Sequence, residues 1–208
     1  MIKLCVFDFD STIMDGETID ILAATNNASN KVASITKRSM NGELDFFESL
    51  TARVKFLKGM PLSKADEICK NLPIMPGASE LIDALKQKGI KVVVFSGGFH
   101  IATDKMQEKL KFDANFANIL HHKDGILTGE VGGEMMFGSS KGDMIDRLCG
   151  LLKLGKDEIM CVGDGANDIS MFRKCDLSIA FCAKDILKKE ATHCVDVKDL
   201  REILKFIR

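Results

Sequence analysis

Short, continuous hydrophobic runs recur along the chain, separated by segments whose hydrophobic residues repeat with the period of a helix. Runs this short, without polar alternation, are typical of strands that are covered on both faces of a sheet. They occupy positions 2–7, 90–95, 159–162, 177–181 and, as a weaker last candidate, 193–197. Helical periodicity follows at 78–88, 141–154, 168–174, 185–190 and 199–207.

Because strands and helices alternate, the pattern predicts an α/β fold built on a doubly wound parallel sheet. In such sheets ligands bind beyond the carboxyl ends of the strands, where the order of the strands reverses. The polar residues that directly follow the hydrophobic runs are therefore the first candidates for a functional site.

The connection between the first two predicted strands is far longer than one crossover helix requires. It contains four further helical patterns, at 18–24, 31–40, 46–58 and 63–72. The last of these has a capping-type start at Ser63 and Asp66. A second, smaller insertion has the turn residues Asp124 and Gly125 between short alternating runs. We predict an α/β core at 1–14 and 75–208, a helical cap at 15–74 and a small β-hairpin at 121–137.

Composition narrows the class of protein. The chain has 208 residues, 46% of them hydrophobic and 28% charged, and its net charge of −1 gives no field that would attract nucleic acid. Seven cysteines without a C-x-x-C pair indicate buried, reduced thiols in a cytoplasmic protein rather than a disulfide framework or a zinc site. We expect no export signal and no membrane segment, since the chain starts without a basic leader and no hydrophobic run approaches the roughly 20 residues that span a bilayer.

Two carboxylates, Asp8 and Asp10, directly follow the first predicted strand. Alternate residues of an extended chain share a face, so these two like charges are close enough to repel each other. A bound cation or a shared proton would offset the repulsion. A carboxylate can also attack phosphorus and form an aspartyl phosphate. The pair alone would equally suit a strand-end turn with two solvated acids.

Ser96, Gly97 and Gly98 follow the second predicted strand. Their hydroxyl and backbone N–H groups can approach an anion closely, as a phosphate site requires. Lys141 opens a later helical pattern and supplies a cation that can neutralise an aspartate and phosphate oxygens. In isolation these residues would suit an ordinary loop and a solvated lysine.

The densest polar signal is the stretch 163–168, which again follows a strand. Asp164, Asn167 and Asp168 make an oxygen-rich turn that suits Mg²⁺. A turn that caps the next helix is the other interpretation, and the two are compatible. Neither a dinucleotide-binding G-x-G-x-x-G motif nor a P-loop occurs, so binding of those ligands is not supported.

Taken in this order, the motifs resemble the four signatures of the haloacid dehalogenase superfamily of phosphotransferases. The sequence is similar to the phosphoserine phosphatase family of that superfamily over nearly the whole chain, including the insertion. The similarity rests on DFDSTIMDGETID at 8–20, VVFSGGF at 93–99, KDGILTGEV at 123–131, GDGANDISMF at 163–172 and IAFCAK at 179–184.

The resemblance implies Mg²⁺-dependent hydrolysis of O-phospho-L-serine to L-serine and phosphate, the last step of L-serine biosynthesis. Asp8 would be the nucleophile that becomes an aspartyl phosphate, and Asp10 the general acid and then base. The metal would be held by the Asp8 carboxylate, the Asp10 backbone carbonyl and Asp164, with Asp168 orienting these ligands from behind. The phosphoryl group would be held by Ser96, Gly97, Gly98, Lys141 and Asn167.

We expect the substrate to be selected by the cap. Arg53 flanks a hydrophobic helical stripe that includes Phe46. Most such arginines reach out to water, but above an active site an arginine can clamp a carboxylate with two hydrogen bonds. By the same resemblance Arg53 would bind the substrate carboxylate and Glu17 its ammonium group, while Met40 and Phe46 would shape the lid.

Two alternatives remain open at this point. The same fold could act on another small phosphate, or pass the phosphoryl group to a second alcohol such as homoserine. A signalling receiver also uses a strand-end aspartate, although Asp10 and the insertion argue against that class. His121 and His122 are assigned no role because no other ligand has matching spacing. Whether the protein is a monomer or a weak homodimer is also open.

Overall fold

A computed structural model describes residues 1–40 and 43–207, with the side chain of Met40 outside that description. Its centre is one seven-stranded sheet of order β4-β3-β2-β1-β5-β6-β7, parallel except for β4, which runs antiparallel to β3. The strands are β1 Leu4–Asp8, β2 Lys91–Phe99, β3 Ala114–Lys123, β4 Ile126–Gly133, β5 Ile159–Gly163, β6 Leu177–Phe181 and β7 His193–Val195. The predicted doubly wound α/β fold is confirmed.

Helices fill the connections between these strands. The segment that was predicted to form the cap, residues 15–74 and called the cap segment below, holds α1 Thr18–Thr25, α2 Ser29–Met40, α3 Phe46–Val54 and α4 Leu62–Lys70. The other helices are α5 Ala78–Gln87, α6 His100–Leu110, α7 Ser140–Leu152, α8 Ile169–Phe172 and α9 Asp185–Lys188. Short 3₁₀ turns occur at Lys55–Leu57, Lys156–Glu158, Ala166–Asp168 and Leu200–Phe206.

The structure corrects two details of the predicted helices. Pro61, not Ser63, precedes the first residue of α4, because the fixed φ of proline suits a helix start and Ser63 already lies inside the helix. The last segment, predicted as an α-helix over 199–207, is a 3₁₀-helix. Its buried residues Leu200 and Ile203 are three apart, which matches three residues per turn.

The two faces of the sheet carry two hydrophobic clusters, and alternate residues of β1 enter each. Cys5 and Phe7 point into the cluster that also holds the cap segment and α5. Leu4 and Val6 point into the cluster formed with α7 and α8. This alternation follows from the period of two in a strand. β1 is thus fixed from both sides, and Asp8 is held rigidly at its carboxyl end.

The β-hairpin is an extension of the main sheet. β3 starts at Ala114, where it pairs with β2 in parallel, and its antiparallel pairing with β4 runs from Asn118 to Lys123. The register of β2 against β3 shifts between Phe95 and Phe99. Ser96, Gly97 and Gly98 lie in this irregular part of β2, at the same edge of the sheet as Asp8.

The cap segment is fastened to the outer strand β4. Gly59 donates its backbone N–H to the carbonyl of Leu127 at 2.9 Å, and Leu127 returns a bond to Met60 at 2.9 Å. These bonds occupy part of the edge strand, which would otherwise be open to pairing with another chain.

Two further properties concern the surface. Among residues 1–40 and 43–207, no helix is both long and hydrophobic enough to cross a membrane. The cysteines are less uniformly buried than predicted. Cys5, Cys69 and Cys161 are buried, but Cys182 and Cys194 are exposed at the end of the sheet, where β6 and β7 are short.

Candidate active site

A cavity of about 710 Å³ opens at the carboxyl ends of β1, β2 and β5, with the cap segment above it. The core contributes acids and small residues to its wall: Asp8, Asp10, Gly97, Gly98, Asp164, Gly165 and Asn167. The cap segment contributes polar and aromatic side chains, among them Glu17, Thr36, Ser39, Phe46 and Arg53. The location is the one expected for a ligand in a doubly wound sheet, since β1 lies between β2 and β5, where the winding direction changes.

Asp8 lies at the centre of the site and is paired with a buried lysine. Lys141 Nζ is 2.5 Å from Asp8 Oδ1 and 2.6 Å from Asp168 Oδ1. The exposed fractions of Asp8, Lys141 and Asp168 are 4%, 3% and 0%. Burial lowers the pKa of Lys141, but the charges of Asp168 and Asp8 outweigh burial and raise that pKa above its ordinary value. The lysine therefore remains a cation beside the candidate nucleophile.

The single positive charge of Lys141 does not neutralise the negative charges of the acids around it. One carboxylate oxygen from each of Asp8, Asp164 and Asp168 lies within 4.8 Å of the others. Burial and the charge of Asp168 raise the pKa of Asp8 well above its ordinary value, and burial together with Asp168 raises the pKa of Asp164 to about 6. Clustered carboxylate oxygens with excess negative charge fit a hard divalent cation.

Asp168 holds the loop that carries Asp164. Its Oδ2 accepts hydrogen bonds from the backbone N–H groups of Asp164 and Gly165, both at 3.0 Å. A β-carbon on Gly163 would lie 2.3 Å from the same Oδ2, so only glycine leaves room for this carboxylate. Asp168 lies behind the acids that line the cavity, and it links them to Lys141.

Asp10 is held by residues from two directions. Its Oδ1 accepts the backbone N–H of Thr18 at 2.7 Å and the Thr18 hydroxyl at 2.6 Å. Its Oδ2 accepts a longer bond of 3.4 Å from Ser96 Oγ, which itself accepts the N–H of Gly98 at 2.9 Å. Burial raises the pKa of Asp10, and the two bonds from Thr18 act against that rise.

The cap side of the cavity presents one acid and one arginine. Glu17 Oε1 accepts a bond of 2.9 Å from Ser11, and burial in the cleft followed by the charge of Asp10 raises the pKa of Glu17 to about 7. Arg53 donates its Nε to the carbonyl of Ser49 at 3.2 Å. This bond fixes the guanidinium at its Nε and leaves the terminal nitrogens available for a ligand.

The predicted site residues occupy different layers of the site. Gly97, Gly98 and Asn167 line the cavity, whereas Ser96 and Lys141 are buried behind its wall. Phe46 covers Gly97 from the cap side. The side chain of Met40, predicted to shape the lid, lies outside the described residues.

Thr18 and Lys184 are among the residues at the site that were not predicted from the sequence. Thr18 binds Asp10, yet its only sequence signal is its place at the start of a helix, where free N–H groups attract acceptors. Lys184 lines the cavity, and its backbone N–H donates to the carbonyl of Asp164 at 2.9 Å. Its position directly after the strand at 177–181 was a usable signal, because polar residues gather at that edge.

Comparisons with known proteins agree with this geometry. A family model described as haloacid dehalogenase-like hydrolase matches residues 2–176. The chain is 58% identical over 207 residues to a phosphoserine phosphatase of Campylobacter jejuni subsp. doylei, covering 100% of each chain. Its structure is similar to a substrate-bound phosphoserine phosphatase complex, with a TM-score of 0.95, 46% identity and coverage of 100% and 99%. A phospho-aspartyl intermediate analogue of phosphoserine phosphatase gives a TM-score of 0.94 at 47% identity, with coverage of 100% and 99%.

Proposed function

The chain belongs to the haloacid dehalogenase-like hydrolases and, within them, to the phosphoserine phosphatase family, and from this premise we propose that it hydrolyses O-phospho-L-serine to L-serine and phosphate. The observation that carries the proposal is the contact of 2.5 Å between Lys141 Nζ and Asp8 Oδ1 at the floor of the cavity. The charge of Lys141 acts against the rise in the pKa of Asp8 and reduces the repulsion between Asp8 and a phosphate dianion.

In the first step Asp8 attacks phosphorus. An Asp8 carboxylate oxygen forms the new P–O bond while the bond from phosphorus to the serine oxygen breaks, and its electron pair stays on the departing oxygen. Asp10 gives that oxygen its proton. In the second step Asp10 takes a proton from water, the water oxygen bonds to phosphorus, and the bond to Asp8 breaks, which restores the Asp8 carboxylate and the protonated form of Asp10.

The acidic cluster fits Mg²⁺. The Asp8 carboxylate, the Asp10 backbone carbonyl and Asp164 would hold the ion, and Asp168 supports them through Lys141 and the 164–165 backbone. When bound, the ion supplies positive charge that neutralises phosphate oxygens during transfer. Gly97, Gly98 and Asn167 present groups to the phosphate from the cavity wall, with Ser96 and Lys141 completing the binding from behind.

The zwitterionic head of phosphoserine matches the two charged groups of the cap side. We assign the substrate carboxylate to Arg53 and the substrate ammonium to Glu17, which both line the cavity. Phe46 closes the cavity above Gly97, and Met40 belongs to the same lid by resemblance alone. Closing the lid would exclude water during the first step and admit it for the second.

The test is phosphate release by the purified protein from O-phospho-L-serine, compared with phosphothreonine, phosphoethanolamine, a sugar phosphate and an aryl phosphate. We expect a strong preference for phosphoserine, with activity lost in EDTA and restored by Mg²⁺. Asp8→Asn should abolish turnover, whereas Asp124→Asn, in the hairpin turn, should leave it unchanged. Preference for another compound would overturn the substrate, and near-normal turnover by Asp8→Asn would overturn the mechanism.

The remaining parts of the proposal concern the role in the cell. Phosphoserine hydrolysis would be the last step of L-serine biosynthesis in the cytoplasm. Growth of a serine-requiring strain lacking its own phosphoserine phosphatase should be restored by this chain and not by Asp8→Asn. Transfer to homoserine is the competing activity. Phosphohomoserine forming from phosphoserine and homoserine faster than free phosphate would favour it.

A further inference from the structure

Asp10 is fixed by two short hydrogen bonds that arrive at the same oxygen. The backbone N–H and the hydroxyl of Thr18 both donate to Asp10 Oδ1, at 2.7 Å and 2.6 Å. Two donors from one residue define both the rotation and the tilt of the carboxyl group. Thr18 is 1% exposed, so water does not compete for these bonds.

The two oxygens of Asp10 therefore have different tasks. A backbone N–H can only donate, which commits Oδ1 to accepting. Oδ2 is left facing the end of β2, where Ser96 Oγ lies 3.4 Å away and a β-carbon on Gly98 would come within 2.9 Å. Oδ2 is the oxygen that can carry and release a proton on the cavity side.

Thr18 also connects this carboxyl group to the cap segment. It is the first residue of α1, and it directly follows Glu17, the residue assigned to the substrate ammonium. Ile19 and Leu22 anchor α1 in the hydrophobic core. The orientation of Asp10 is thus set by a helix of the cap, although Asp10 itself belongs to the loop after β1.

We propose that Thr18 is a positioning residue that orients Asp10 so that Oδ2 faces the leaving oxygen of the substrate. This inference rests on the proposed function. The step it serves is transfer of the Oδ2 proton to the serine oxygen as the P–O bond breaks, with the electron pair of that bond becoming the new O–H bond. The reverse use of Oδ2, taking a proton from water, serves the second step.

The variant Thr18→Val tests the proposal, because it keeps the shape and the backbone N–H bond but removes the hydroxyl. The two readouts are steady-state turnover of phosphoserine and the burst of nitrophenolate from 4-nitrophenyl phosphate. Nitrophenolate is a good leaving group that needs no proton. We expect kcat for phosphoserine to fall about 10- to 100-fold, within the 10²–10⁴-fold that general acid–base catalysis supplies. We expect the burst rate to change less than about twofold, because proton donation does not limit it.

Two matched variants complete the experiment. Thr18→Ser restores the hydroxyl and should recover most of the phosphoserine turnover. Thr25→Val removes a threonine hydroxyl at the far end of the same helix, where it donates to the carbonyl of Leu22 at 2.8 Å, and should leave both readouts unchanged.

The outcomes separate this inference from the proposed function. Equal losses in the burst and in phosphoserine turnover would mean that Thr18 only maintains the fold, and would overturn the proposal. Unchanged phosphoserine turnover in Thr18→Val would overturn it as well. A wild-type protein that gives a burst but does not turn over phosphoserine would contradict the proposed substrate, independently of any Thr18 variant.

Discussion

The ring of Phe46 rests directly on Gly97, so closely that a β-carbon on Gly97 would lie 2.5 Å from the ring carbon Cζ. Phe46 opens α3 of the cap segment, while Gly97 lies near the end of β2, in the stretch that is expected to bind phosphate. The cap segment and the core are therefore in contact at the expected phosphate site. Any movement that lifts α3 also uncovers this end of β2.

A second aromatic contact beside this one should stabilise the covered state. Phe47, the next residue of α3, stacks on Phe137 of the core with ring centroids 5.4 Å apart. Phe47→Ala should raise KM for phosphoserine about 2- to 10-fold, because an aromatic pair contributes about 0.5–1.5 kcal/mol. Steady-state kinetics measure this effect. The double variant Phe47→Ala with Phe137→Ala should be no worse than the single one, and additive losses would show that the pair does not act as a unit.

Glu17 should make substrate affinity depend on pH. Burial and the charge of Asp10 raise its pKa to about 7 from the usual 4.5, so its carboxylate form grows as pH rises through 7. The substrate ammonium is attracted only by that form. The ratio of KM for phosphoserine to KM for an aryl phosphate, which lacks the ammonium, should therefore decrease as the pH rises from 6 to 8, because the pKa of Glu17, about 7, is the midpoint of this change. Glu17→Gln should give a ratio that does not change with pH.

The sequence indicates which polar residues follow the strands at one edge of the sheet, but it indicates neither the places of Thr18 and Lys184 nor how the side chains are oriented. Asp8, Ser96 and Asp164 each follow a hydrophobic run, and parallel strands bring such residues to one edge. The helix α6 was missed although Ala102, Met106 and Leu110 recur every four residues, because charged and polar residues outnumber them.

Side-chain contacts that no local pattern encodes explain the remaining failures of prediction. Thr18 lies eight residues after Asp10, and the bond between them depends on how the chain turns from β1 into α1. The stacking of Phe47 on Phe137 joins two exposed aromatic residues that the sequence would leave unrelated. Such contacts are set by tertiary packing, which local preferences do not specify.

Gly163 should tolerate no side chain. A β-carbon there would lie 2.4 Å from Asp168 Cγ, and Asp168 is held rigidly by Lys141 and two backbone N–H groups. Gly163→Ala should destabilise the protein by about 1–3 kcal/mol through overpacking and should lower kcat. The control is Gly150→Ala in exposed helix, where nothing lies within 4 Å of the new carbon. Denaturant unfolding should show the control equal to or more stable than wild type by up to about 1 kcal/mol.

Arg53 should determine the preference for a substrate carboxylate. Its Nε is bound to the carbonyl of Ser49, so a planar fork faces the cavity, and lysine cannot reproduce that fork. Arg53→Lys should raise KM for phosphoserine about 10- to 100-fold, equivalent to about 1.5–3 kcal/mol for a charged hydrogen bond. KM for phosphoethanolamine, which has no carboxylate, should stay within a factor of about two. Arg38→Lys is the control, because Arg38 pairs with Glu43 on the surface. Equal increases for both substrates would contradict the assignment.

Removal of the metal should destabilise the protein, because the clustered carboxylates then repel one another. Burial and Asp168 raise the pKa of Asp164 to about 6 from the usual 3.8, so the stability it contributes is full below about pH 4 and is lost as pH rises through about 6. In EDTA the melting temperature should therefore fall as pH rises from about 4 to about 6.

Mg²⁺ should reverse that loss at pH 7. At one hundred times its dissociation constant a ligand adds about 2.7 kcal/mol, and for a chain of this size that raises the melting temperature by about 5–10 °C. Scanning fluorimetry with Mg²⁺ and with EDTA measures the shift. In Asp164→Asn the shift with Mg²⁺ should largely disappear, and the decline in EDTA should become shallower because one of three clustered acids is gone. A full Mg²⁺ shift in Asp164→Asn would place the ion elsewhere, since a carboxamide is a far weaker ligand for a hard cation than a carboxylate.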